Sequence, residues 1–195
     1  MKFHSFKQYA LTGALIVGLG LAPMAVVRAA DNVNVSATVT ILGALTATKV
    51  ADMAFGTWYY AAGSTASTLV KDTAGTVTAT PGTSATLTSV AANSTPAQVT
   101  VQIGGGSASE NNTTVHMSVG ALGAFTDNTH IALSSTTYKY GAASEASVTP
   151  GGAAVNVVIS DGTAAEPVYL GATITLTGTA ATGADTASFN VAFAY

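Results

Sequence analysis

The stretch Asn32-Val33-Asn34-Val35-Ser36-Ala37-Thr38-Val39-Thr40-Ile41-Leu42 decides how the rest of the chain is read. Val33, Val35, Ala37, Val39 and Ile41 alternate with Asn34, Ser36, Thr38 and Thr40. Successive side chains of a strand point to opposite faces, so this period of two predicts a strand with one apolar and one polar face. Such a strand needs a sheet edge to join, in its own molecule or in a neighbour.

What precedes it has the three parts of a secretion signal. Lys2 and Lys7 supply a positive start, residues 10–27 form an uncharged apolar run, and Val27-Arg28-Ala29 offers a small residue at a cleavage point. The run is about long enough to span a membrane. Its glycines at 13, 18 and 20 and its small-residue end favour a removed signal peptide over residues 1–29 instead. Residues 30–195 then form the mature domain, and the amphipathic strand becomes its N-terminus.

Composition narrows the class of that domain. Its only lysines are Lys49, Lys71 and Lys139; it has no arginine and carries all nine Asp and Glu residues. A chain this acidic has no electrostatic footprint for nucleic acid or anionic lipid, so neither is an expected partner, and the membrane enters only through the export signal. There is no cysteine, so stability must come from burial and hydrogen bonds. Thr, Val, Ala, Gly and Ser dominate while Leu, Glu, Lys and Arg are scarce, a composition that favours strands over helices.

Downstream, the alternation recurs between turn residues. Residues 45–50 alternate weakly, and bulky residues at 53, 55 and 58 predict a strand interrupted at Gly56. Thr68-Leu69-Val70 and Thr76-Val77-Thr78 flank Asp72-Thr73-Ala74-Gly75, the pattern of a hairpin with a four-residue turn. Residues 86–90, 97–103, 114–119, 153–159, 168–177 and 188–195 read as strands, and 131–133 and 136–140 as two short ones. The segment around Glu145 reads as loop. Nine or ten short strands without helical periodicity predict one all-β domain. Its architecture is read as a single antiparallel β-sandwich of immunoglobulin-like or pilin-like kind, behind an N-terminal signal helix.

Three pieces carry a family resemblance: Phe55-Gly56 behind an apolar residue, Gly171 inside Val168-Tyr169-Leu170-Gly171-Ala172-Thr173-Ile174-Thr175-Leu176, and the terminal Phe189-x-Val191-x-Phe193-x-Tyr195. With them the mature chain resembles small secreted Gram-negative bacterial proteins grouped as a domain of unknown function, regarded as β-sandwiches akin to pilus and fimbrial subunits. The resemblance implies export, a sandwich fold and assembly at the surface. It implies no catalytic residue.

The residues themselves point to no chemistry. The mature chain offers His116 and His130, fourteen apart on different predicted strands, and no cysteine, so no metal or cofactor is expected. No Gly-x-Ser-x-Gly turn is present and the scattered acids form no recognisable pair, so no catalytic residue is assigned and the chain is read as a non-enzyme. Asp127-Asn128 and Asp161-Gly162 read as turns, because neither continues into the spaced oxygen ligands of a calcium loop. Gly104-Gly105-Gly106 lacks the lysine and helix of a phosphate loop. Asn-x-Ser/Thr at Asn34, Asn93, Asn111 and Asn112 is expected by chance in so Ser- and Thr-rich a chain.

Three functions stay open. The first is an exported structural or adhesive protein of the cell surface, a fimbria-like subunit in the periplasm, on the surface or outside the cell. It would pair with copies of itself or with other surface subunits, with Val33, Val35, Ala37, Val39 and Ile41 as a donor strand. The second is a small outer-membrane barrel, suggested by the aromatic end Phe193-x-Tyr195. The third is a soluble carbohydrate-binding module stacking sugar on Trp58, Tyr59 and Tyr60, against the reading of those rings as a core plug.

Overall fold

The computed structural model describes residues 43–92, 95–104, 108–180 and 182–195; the signal segment and the alternating stretch 32–42 lie outside the described residues. The described chain is all-β, with twelve strands and one 3-10 turn, Ala108–Glu110. The strands are β1 Leu45–Ala51, β2 Thr57–Ala61, β3 Ser67–Lys71, β4 Val77–Thr80, β5 Thr86–Ala91 and β6 Ala97–Ile103. They continue as β7 Thr113–Val119, β8 Ile131–Tyr140, β9 Ala146–Val148, β10 Val155–Ile159, β11 Glu166–Leu176 and β12 Val191–Ala194. Every pairing among them is antiparallel.

β11 is the spine. Its alternation buries Val168, Leu170, Ala172, Ile174 and Leu176, the inward set expected from the period of two. On one flank it pairs with β8 from Val168 to Leu176. On the other flank its first half pairs with β6 and its second half with β3. The C-terminal end of β3 therefore abuts the N-terminal end of β6, beside Gly171. A Cβ on Gly171 would lie 2.5 Å from the Lys71 carbonyl oxygen and 2.5 Å from Thr137 Oγ1, so only glycine fits this junction. β1 extends the sheet beyond β6, β4 beyond β3, and β9 beyond β8, seven strands in all.

Two smaller sheets, β10-β7-β12 and β2-β5, pack on the inward face of the large one. The first core joins Val101 and Ile103 of β6 and Val168 of β11 to Val115, Met117 and Val119 of β7 and Val157 and Ile159 of β10. The second joins Leu69, Ile174 and Leu176 to partly buried Phe55, Trp58, Tyr60 and Leu87. Inward residues of the single strand β11 serve both cores, so the molecule is a two-layer β-sandwich. Each fully buried aliphatic side chain contributes about 1.5–3 kcal/mol against chain entropy, the main resource of a chain without disulfides.

The β3–β4 hairpin forms as expected. Gly75 N–H donates to the Asp72 carbonyl at 3.1 Å, Asp72 Oδ1 accepts from Ala74 and Thr76 N–H, and Gly75 takes φ 92°. Two expectations change. Residues 131–133 and 136–140 belong to one strand, β8, in which the pairing slips between Thr173 and Ile174 so that Ser134 is an extra residue. That bulge shifts the inward face from Ile131 and Leu133 to Thr136, Tyr138 and Tyr140, which is why the sequence looks like two strands. Residues 53–55 are not strand. The chain turns at Gly56, φ 84°, and the Phe55 carbonyl is taken by Trp58 Nε1 at 2.7 Å instead of by a ladder. β9 is a short strand directly after Glu145, in a region read as loop.

Candidate functional site

An apolar seam lies where the edges of the two layers meet. β1 is an outer strand of the large sheet and pairs with β6 alone among the described residues. β12 is an outer strand of the β10-β7-β12 sheet and pairs with β7 alone among them. These two edges approach each other. Leu45 of β1 and Val191 and Phe193 of β12, with Phe189 just before it, pack on the first core while staying only partly buried. Phe189 keeps the strand's alternation although β12 begins at Val191, because Gly120 N–H reaches the Asn190 carbonyl and Gly123 N–H the Ser188 carbonyl, at 2.8 and 2.7 Å.

Polar contacts at one end of the seam hold the start of the described chain. Gly43 N–H donates to Glu110 Oε1 at 2.8 Å, and the Tyr195 hydroxyl donates to the Gly43 carbonyl. Gly104 N–H donates to the Ala44 carbonyl, continuing the β1–β6 ladder by one step. A Cβ on Gly43 would sit 1.3 Å from the Gly104 carbonyl oxygen, so no other residue passes here. Glu110 is buried, at 5% exposure. Burial raises the Tyr195 phenol above its ordinary pKa of 10.0, and the Glu110 charge adds to it. The partners stand 67 and 152 residues apart, and no local pattern in the sequence announces them. Tyr195 was legible only as the end of an alternating strand, and Glu110 not at all.

The chain matches no protein-family model, no curated protein and no solved structure.

The aromatic cluster separates by alternation. Trp58 and Tyr60 turn inward onto the second core, where the Tyr60 hydroxyl reaches the Leu176 carbonyl at 3.4 Å. Tyr59 turns outward and is 58% exposed. The three rings therefore do not share one face. Exposed Val90 and Val50 sit where the β2–β5 and β1–β6 pairings slip, so their exposure follows from bulges.

The remaining polar groups brace loops. His116 lies on the exposed face of β7. His130 Nδ1 pairs with Asp127 Oδ1 at 2.8 Å, and Asp185 accepts from Thr126 and Asp127 N–H at 2.7 and 2.9 Å, lining an open depression with Thr182 and Gly183. Asp161 folds its own turn onto Thr163, and buried Glu166 accepts from Asp161 N–H at 2.6 Å. Buried Lys71 donates to the Gly75 carbonyl at 2.9 Å; desolvation lowers its pKa, opposed by Asp72. Among the described residues, no three His, Cys, Asp or Glu side chains converge as a metal site, and no helix is long and apolar enough to cross a membrane. The alternating residues Val33, Val35, Ala37, Val39 and Ile41 fall outside the described residues.

Proposed function

We propose that this chain is an exported structural or adhesive protein of the cell surface, a fimbria-like subunit that assembles by β-strand addition with copies of itself or with other surface subunits. The observation that carries this reading is the β1–β12 seam. It combines a strand edge whose backbone is paired on one side only among the described residues with apolar side chains that stay half-covered. An added amphipathic strand satisfies both needs at once, the backbone by ladder hydrogen bonds and the side chains by burial. The alternating residues 33–41 have the pattern for that strand, and the export reading of residues 1–29 puts them at the start of the mature chain. The sandwich also favours this reading over a small outer-membrane barrel, which requires a closed ring of long strands. A sugar platform of three rings is less favoured, since Tyr59 alone of them faces outward.

The test compares purified protein of residues 30–195 with a version starting at residue 43. The longer protein is expected to elute from size exclusion as oligomers or polymers and to show fibres by electron microscopy. The shorter one is expected to be monomeric and to unfold at lower denaturant. Two monomers of equal stability would sink the proposal.

A further inference from the structure

β1 is held to its sheet more by its ends than by its body. Five of its seven residues are exposed, and Leu45 alone of its side chains packs on the first core. Its ladder to β6 slips at Val50, which stands out in solvent. An edge strand with so little burial opens more readily than the body of the sandwich. What fastens it is the polar clamp ahead of it, where Gly43 is gripped by Glu110 and Tyr195. Tyr195 is 48% exposed, so water competes for its bond. Behind β1, Asp52, Met53 and Ala54 join no strand, and the chain is next fixed at Phe55 in the second core. Those three residues span about 10 Å when extended, a hinge on which β1 can swing clear. The Lys49–Asp52 pair across it is exposed on both sides and holds it weakly.

β6 shows what fits the edge that β1 covers. Ile103 and Val101 take Leu45 and Ala47 opposite them, and Gln102 and Thr100 take Thr46 and Thr48. One step on, Gly104 N–H meets the Ala44 carbonyl, and the approach of Gly43 to the Gly104 carbonyl admits no side chain. A strand from an unrelated protein must supply that glycine in that register, whereas a second copy supplies it by identity. We infer that β1 is a latched, detachable strand, and that residues 43–51 of a second copy replace it on β6 in the same register. The inference rests on the strand-addition reading and names the edge and the strand through which addition works. Exchange replaces like with like, so a chain starting at residue 43 gains nothing from it and stays closed. On that reading the drive comes from residues 33–41, which travel with β1.

The chain has no cysteine, so introduced thiols meet only each other. Thr46→Cys is placed in one batch of residues 30–195 and Gln102→Cys in another, so a disulfide between the two positions forms only between copies. These outward residues face each other across the ladder, within reach of a disulfide. The two batches are unfolded, mixed, refolded, oxidised and run on a non-reducing gel. The expected product is a mixed dimer, roughly tenfold above the homodimers of either batch alone, whose thiols lack that geometry. Mixing the folded proteins instead reads how fast β1 opens, and Tyr195→Phe in both should raise that rate about fivefold, the weight of one hydrogen bond. Equal linkage with Thr100→Cys in place of Gln102→Cys, two residues off on the same face, overturns the register. Folded Tyr195→Phe proteins that link no faster overturn the latch. No mixed dimer from protein that still polymerises, while Thr46→Cys and Gln102→Cys in one chain link within it, overturns exchange of β1 and leaves the assembly reading standing. Protein that stays monomeric throughout overturns both.

Discussion

At Gly171 a single hydrogen atom in place of a side chain lets two strands end against each other on one flank of a third. Gly171→Ala must displace the Lys71 carbonyl and the Thr137 hydroxyl, each 2.5 Å from the new carbon, and one of these is backbone. Overpacking of this kind costs about 1–3 kcal/mol, read as a lower urea midpoint with an unchanged slope. Glu145 braces the same junction from the other side. Its carboxylate accepts from Thr73 N–H at 2.9 Å and from Thr73 Oγ1 at 2.7 Å. Desolvation opposes its ionisation, but the Thr73 bonds, the nearby Thr137 hydroxyl and the Lys139 charge prevail and hold its pKa below the ordinary 4.5. A carboxylate with a lowered folded pKa adds stability above its unfolded value, and that stability is lost as the pH falls through the folded one. Glu145→Gln should therefore cost about 1 kcal/mol at pH 7, a modest figure because the side chain is exposed, and almost nothing at pH 2. Chemical denaturation at the two pH values checks it. An equal loss at both would mean that the charge plays no part.

At the scale of elements, β8 shows how a bulge hides a strand from its own sequence. Ser134 changes the parity of the inward face midway, so Leu133 serves the second core and Tyr138 the first. Deleting Ser134 would leave Ile131, Leu133, Thr136, Tyr138 and Tyr140 on one face of an unbulged strand and should cost little, whereas an alanine inserted after Thr136 turns Tyr138 and Tyr140 the wrong way, a loss of more than about 3 kcal/mol. Ser134→Gly keeps the extra residue and should cost about 1 kcal/mol or less. Thermal unfolding of the three separates backbone count from side-chain identity. The same physics explains what was legible beforehand. β3, β4, β6, β7 and β11 keep one parity from end to end, and their period of two exposed them in the sequence. β9, with three residues, is too short to show a period. Residues 53–55 are bulky for a different reason, since Phe55 fills the second core from a turn. The seam was half legible. Phe189, Val191 and Phe193 followed from alternation, whereas the fastening of Gly43 by Glu110 and Tyr195 depends on separations that only the fold closes.

For the whole molecule, the two cores share one spine, so neither core is complete without β11. In the sheet, β3 and β6 meet only through that strand, which begins at Glu166, long after both have been made. Loop closure over such separations is slow and must precede the contacts that reward it. A chain ending at residue 165 should show little cooperative unfolding by circular dichroism, and restoring residues 166–195 should bring the transition back. A sharp transition in the shorter chain would mean that the outer strands hold together unaided. The order of synthesis therefore acts as a timer. β11 follows β3 and β6 in the chain, so the large sheet stays divided until residues 166–176 have been made. For a protein proposed to be exported, that delay keeps it threadable for as long as it must pass through a membrane pore.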